Sequence, residues 1–293
     1  MTTRRGNNPG GRQPAPFANK RTWLLRPWGI ALMTLGITAL GGLTFWAARL
    51  PPLPVPETVS IVAGDALFRP AGSFRISERA VDAPLESHPH APSFQIMRTQ
   101  VSEASYAACV AEAGCRDPDR ARRVDRADQP RTGVSYEDAS AYALWLSRRT
   151  GQHWRLPTDL EWRRAAGERA TDDALGAGAG GADPSKRWLE NYRREVTDRG
   201  AADPVKRPIG GFGANSLGVA DMAGNVWEWT DSCFVNARLG AGGSITSRSE
   251  YCGVRLVEGR HRTFIITFVR DAKSGGCALG LPPDYLGFRL VRD

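Results

Sequence analysis

The chain has 293 residues, 41% of them hydrophobic, and a formal net charge of +8. Arg4, Arg5, Arg12, Lys20, Arg21 and Arg26 all precede residue 27 with no acid among them, so the remainder is nearly balanced. No basic stripe with interleaved aromatics is left, which excludes a nucleic-acid-binding surface, and about 235 residues remain for one good-sized core.

Residues 1–26, rich in Arg, Gly, Asn and Pro, are predicted to form a disordered basic tail. Residues 27–48 carry no charge and are mostly apolar, a run long enough to cross a hydrocarbon core of ~30 Å. Trp28 and Trp46 stand near its two ends, where indoles favour the interface. The cationic flank is N-terminal, so the tail is expected in the cytoplasm and the following domain outside, the periplasm in a Gram-negative cell. A cleaved signal peptide is the competing reading, but the run is longer than the usual h-region and Phe45-Trp46 spoils the most obvious cleavage site. An uncleaved single-pass anchor in the inner (plasma) membrane is therefore expected. Residues 49–57, with Pro51, Pro52, Pro54 and Pro56, read as a stiff extended spacer. The folded domain then runs over 58–293.

Thr58-Val59-Ser60-Ile61-Val62 is a β-rich first strand ending at Gly64. His88-Pro89-His90 would need further ligands to hold Zn2+ or Cu2+, and only His153 and His261 remain, so a solvated loop is expected. Ser102 caps a helix whose inner face carries Tyr106, Cys109 and Val110, with Gly114 closing it. Ser135 with Asp138 opens a second helix, whose Ala139, Tyr142, Ala143 and Leu146 follow the i, i+3, i+4, i+7 template up to Gly151. Thr158 with Glu161 makes a third capping box, giving Glu161 a structural duty. Residues 174–184 are rich in Gly and Ala, a predicted loop. With 32 glycines and 20 prolines, much of the domain should be irregular backbone.

Five cysteines suit an oxidising compartment. Cys109 and Cys115 lie close enough for a local disulfide, whereas Cys233, Cys252 and Cys277 leave one thiol over and cannot be paired from sequence.

The stretch Asp221-Met222-Ala223-Gly224-Asn225-Val226-Trp227-Glu228-Trp229 sets two indoles on one face of a short strand and Glu228 on the other. An aromatic core layer explains the indoles. The oxygens of Asp221, Gly224, Val226 and Glu228 also form a set that would suit calcium. This stretch resembles the signature of the formylglycine-generating enzyme, or sulfatase-modifying-factor, family. Arg155-Leu156-Pro157-Thr158 with Glu161-Trp162 and Ala165-Ala166, and Leu286-Gly287-Phe288-Arg289-Leu290-Val291-Arg292, resemble the same family in the same order. The resemblance implies an α+β, C-type-lectin-like fold with low regular secondary structure, preceded here by one transmembrane helix. It also implies calcium at Asp221, Gly224, Val226 and Glu228.

Catalytic members of that family hold copper with two cysteines five residues apart, after an Arg-Gly-Gly-Ser turn, and oxidise a sulfatase cysteine to formylglycine. Here the turn corresponds to Glu258-Gly259-Arg260-His261, and the two cysteine positions fall near Phe264 and Val269, neither of which ligates copper. A sister branch uses non-haem iron on histidines of an additional helical domain that this chain lacks. The remaining cluster comprises Arg255, Glu258, Arg260, His261, Arg262, Arg270 and Asp271, near Cys252 and Cys277. It reads either as a salt-bridged core or as a ligand pocket, with His261, Cys252, Cys277 and Arg260 as the catalytic candidates and copper or iron as the metals in question. The anchored, cysteine-pair-free form is similar to the NirV-type proteins of the family, associated with copper nitrite reductases. The expectation is an oxidoreductase or maturation factor acting on a periplasmic protein partner, against a non-catalytic protein- or ligand-binding module.

Overall fold

A computed structural model describes residues 53–117, 126–172 and 205–270, residues 286–293, and a few positions between 174 and 197. The predicted tail and the anchor at 27–48, with Trp28 and Trp46, lie outside the described residues, as do Asp271, Cys277 and most of 174–184. Among the described residues no helix is long and apolar enough to cross a membrane.

The strands are β1 (Thr58–Ile61), β2 (Gly64–Phe68), β3 (Gly72–Ile76), β4 (Arg79–Val81), β5 (Glu86–Ala91), β6 (Phe94–Met97) and β7 (Trp154–Arg155). They continue with β8 (Trp227–Leu239), β9 (Ile245–Glu258), β10 (Thr263–Ile266), β11 (Leu286–Gly287) and β12 (Val291–Arg292). One sheet has the order β1-β6-β12-β7 and another β10-β9-β8-β3-β4 with β11 added to β8, while β2 and β5 form a two-stranded ribbon. The helices are α1 (Glu103–Ala111), α2 (Tyr136–Thr150) and α3 (Asp159–Ala166).

Each helix begins where its side chains can satisfy the free N–H groups of the first turn. Ser102 accepts from the Ser105 amide, and the reciprocal boxes of Ser135 with Asp138 and Thr158 with Glu161 both form. Gly151 ends α2 in the left-handed region at φ 68°. At the end of α1 the expected roles shift by one residue. Ala113 takes the left-handed conformation at φ 55°, and Gly114 matters for another reason, since a Cβ there would stand 2.4 Å from the Trp145 ring. Close packing, invisible to a local reading, decides that glycine. The His88-Pro89-His90 segment also departs from expectation. It lies in β5, paired with β2, rather than in a loop, and His90 at φ 55° breaks its alternation.

The predicted face of α2 is the observed one. Ala139, Tyr142, Ala143 and Leu146 are all buried. They pack with Tyr106, Cys109, Trp229 and Phe288 in the larger apolar cluster, while Trp162, Ile96, Met222 and Val291 form a second one beneath α3. Cys109 and Cys115 are disulfide-bonded, and so are Cys233 and Cys252. The second bond spans an irregular stretch of the β8–β9 ladder, where the register slips between Cys233↔Arg255 and Phe234↔Tyr251.

Candidate functional site

The turn before β8 is held by its own polar side chains. Asp221, Ala223 and Asn225 all have positive φ, a costly conformation for residues with a Cβ. Asp221 sustains it by accepting from the backbone amides of Gly210 and Phe212. Asn225 accepts from the Arg207 amide through Oδ1 and donates to the Arg207 carbonyl through Nδ2.

From this turn β8 runs inward with the predicted alternation. Trp229 is fully buried and donates its indole N–H to the Val134 carbonyl at 2.8 Å. Glu228 points to the opposite face, 1% exposed, and meets Arg289 in a two-pronged pair, Nε to Oε2 at 2.6 Å and Nη2 to Oε1 at 2.7 Å. Trp162 Nε1 donates to Oε2 at 2.9 Å and Gln100 Nε2 to Oε1 at 2.8 Å. The rest of the Arg289 guanidinium reaches the carbonyls of Met97, Arg98 and Ala220. This buried pair ties α3, β6, β8 and the chain's last segment together.

Three of the four residues expected to hold calcium, Asp221, Gly224 and Glu228, direct their oxygens to donors within the protein. Both oxygens of Glu228 already receive N–H donors, including a guanidinium that supplies the compensating positive charge. Both oxygens of Asp221 face backbone amides, and the Gly224 carbonyl accepts from the Val226 amide and from Gln100. A hard cation needs several oxygens turned toward one point, and those of Asp221, Gly224 and Glu228 face N–H donors of the protein.

The cluster read from residues 255–271 does not come together as one group. Arg255 lies over the Tyr136 ring at 4.3 Å and pairs with Asp231 at 2.9 Å. Burial, then the hydrogen bond to Asp231, pushes the Tyr136 hydroxyl up to about 12. Arg270 is bound to Asp138 at 2.7 Å. Burial would raise the Asp138 carboxyl, but Arg270 and the Ser135 donors outweigh it and hold it below its ordinary value. Cys252 is not available as a soft ligand or nucleophile, because its sulfur is bonded to Cys233.

What remains near the turn after β9 is a compact set. Gly259 lies against the Trp227 ring, His261 meets the same ring edge-on at 4.6 Å between centroids, and Arg260 is exposed. Beneath them Arg262 pairs with Asp159 at 3.2 Å and donates to the Arg69 carbonyl. Glu258, 1% exposed, sits 3.6 Å from Arg163, and Asp159 is 2% exposed. Burial first, and the facing Asp159 carboxyl next, push Glu258 well above the ordinary carboxyl range, although Arg262 and Arg163 pull the other way. Asp159 and Arg163 are the residues that sequence reasoning missed. Their signal was present but already explained, since acids belong in a helix's first turn and bases in its last.

A family model for the sulfatase-modifying factor enzyme 1-like domain matches residues 47–293. The chain belongs to that family. The formylglycine-generating enzyme of Mycobacterium tuberculosis is 41% identical over 115 residues, which cover 38% of this chain and 36% of that protein. The chain thus spans about a third of the length of that relative. The formylglycine-generating enzyme of Streptomyces coelicolor is 28% identical over 290 residues, covering 88% of this chain and 83% of that one. Among solved structures, PvdO from Pseudomonas aeruginosa superposes with a TM-score of 0.51 at 21% identity, over 81% of this chain and 94% of that chain. The PvdO likeness supports the mixed helix-and-sheet fold expected from the motifs, and that alone.

Proposed function

We propose that this family member is a membrane-anchored maturation factor or oxidoreductase that acts on a protein partner outside the cytoplasm, without the usual copper-binding cysteine pair. The observation carrying this reading is the state of its thiols. Cys109, Cys115, Cys233 and Cys252 are consumed in two disulfides, and Phe264 and Val269 stand near the copper-cysteine positions. Two disulfides also favour an oxidising compartment, in keeping with an N-terminal anchor that leaves the domain outside. Partner contact is best served by the turn after β9, where Arg260 is exposed and the half-buried His261 packs against the buried Trp227.

The test is a metal and thiol inventory of the purified full chain. Copper, iron and calcium are measured by elemental analysis, free thiols by titration, and the location by membrane fractionation. The expected result is one free thiol, the membrane fraction, and no stoichiometric copper. A redox metal bound in proportion and lost in His261→Ala or Cys277→Ala would instead assign metal chemistry to the turn. A chain that holds only calcium, or no metal, and binds a partner without changing it would leave the non-catalytic binding module as the reading.

A further inference from the structure

We propose that the bonded sulfur of Cys252 is a thiol-exchange site, and that opening its bond to Cys233 releases the outer arm of β9 from its pairing register. The two disulfides stand in opposite surroundings. Cys109, 0% exposed, and Cys115, 8% exposed, sit in the larger apolar cluster with Tyr106 and Trp145. A thiolate would have to shed its water to reach them. Cys252 is exposed and Cys233 half-buried. Access helps decide which sulfur of a disulfide is attacked, so an incoming thiolate meets Cys252 first.

The exchange balances with a dithiol as the reductant. One thiolate of the dithiol bonds to Cys252 Sγ as the Cys233–Cys252 bond breaks, and Cys233 leaves as a thiolate that takes a proton from water. The second thiolate of the dithiol then attacks the dithiol's own bonded sulfur and releases Cys252. The dithiol ends as a disulfide, oxidised by two electrons, and Cys233 and Cys252 end as thiols.

The ladder shows what the bond holds. Near the core Glu228 faces Glu258 and Trp229 faces Val257; farther out Phe234 faces Tyr251 and Val235 faces Glu250. These two stretches are out of step. Carried outward, the inner pairing would set Phe234 against Cys252. Carried inward, the outer pairing sets Cys233 against Cys252, the two that are bonded. A strand's register is normally fixed by its buried face, because a slip by one turns every side chain over. On β8 that face exists: Val235, Ala237 and Leu239 are buried, and the same stretch pairs with β3. The β9 arm has none. Every residue from Ile245 to Gly253 is exposed, and β10 pairs only with Val254 to Val257. Backbone hydrogen bonds can form in either register. The arm's side-chain contacts are exposed too, with Thr246 donating to the Arg238 carbonyl at 3.1 Å and Arg248 pairing with Glu86 at 3.4 Å. Exposed ion pairs of that kind hold little. The covalent bond is what keeps the arm in step.

The test uses the full-length chain in mild detergent under native conditions. Dithiothreitol is added, thiols are alkylated at intervals, and the labelled cysteines are assigned by peptide mass spectrometry. Cys233 and Cys252 should be labelled at least about tenfold faster than Cys109 and Cys115. Equal rates for the two bonds, or no opening short of unfolding, overturn the exchange site. Single variants locate the attack. Cys252 in Cys233→Ser should take up glutathione from glutathione disulfide faster than Cys233 does in Cys252→Ser, and the reverse order overturns the choice of Cys252. Each arm is repeated in Cys277→Ala, so that the fifth cysteine supplies none of the label. Hydrogen exchange reads the release. In the opened and alkylated wild type, protection of Thr246–Tyr251 should fall by about tenfold or more while Thr263–Ile266 keep theirs. The double variant Cys233→Ser with Cys252→Ser, which carries no alkyl group, should show the same loss. Unchanged protection of the arm in both overturns the release. None of these readouts depends on the function proposed above.

Discussion

Glu228 and Glu258 are cross-strand partners on β8 and β9, each 1% exposed, and both look toward α3. Their solutions to the same burial differ. Glu228 is met by a two-pronged guanidinium and by two further N–H donors, so its charge is answered lone pair by lone pair. Glu258 has a guanidinium only at 3.6 Å and no hydrogen-bond donor on Oε1, and burial pushes its carboxyl well above the ordinary range. A buried carboxylate is thus held charged where donors surround it. The first arrangement makes a fixed structural joint, and the second leaves a buried carboxyl oxygen without a donor.

The largest effect should come from breaking the fixed joint. Arg289→Ala strands Glu228 without compensation and should cost about 3–5 kcal/mol, read from urea unfolding. Pairing the same site as Glu228→Leu with Arg289→Met should recover much of that loss, since a buried ion pair replaced by apolar groups of similar size is often neutral. Equal instability of the single and double variants would show that the carbonyls of Met97, Arg98 and Ala220, and not the charge pair, make Arg289 indispensable.

Gly114→Ala should be next, at roughly 1–3 kcal/mol, because the new methyl meets the Trp145 ring and the ring has packed neighbours behind it. It touches neither glutamate, so it is a control for Arg289→Ala. Thr158→Ala removes the cap of the helix that overlies both glutamates and should cost about 1 kcal/mol by thermal melting. His261→Ala gives the smallest expected change, about 0.5–1.5 kcal/mol for the lost ring contact with Trp227. Its main readout is partner binding or metal content.

Local chemistry was legible wherever a residue's role is settled within a few positions. The capping pairs Ser135 with Asp138 and Thr158 with Glu161 formed as read, and Glu161 has the structural duty expected of it. There burial would raise its carboxyl, but Arg155 and Thr158 hold it low. The alternation of Trp227, Glu228 and Trp229 was also readable, because a strand allows each side chain only two directions. Partners across the fold were not. Asp221 and Glu228 shared a stretch and an oxygen chemistry that suited calcium, yet one turned to backbone amides and the other to Arg289. Likewise the charged run from Arg255 to Arg270 read either as a salt-bridged core or as a ligand pocket, and only the fold shows that Arg255, Arg262 and Arg270 pair with Asp231, Asp159 and Asp138.

The sequence by itself determined where the helices begin, the buried indoles and the family, since these depend on residue type and short spacing. Only the tertiary structure decided which charge answers which. A side chain's periodicity names the face it occupies, but its partner is chosen by whatever distant segment packs there. That is why Glu228 became a two-pronged salt bridge while Glu258, directly across the ladder, meets a guanidinium only at 3.6 Å.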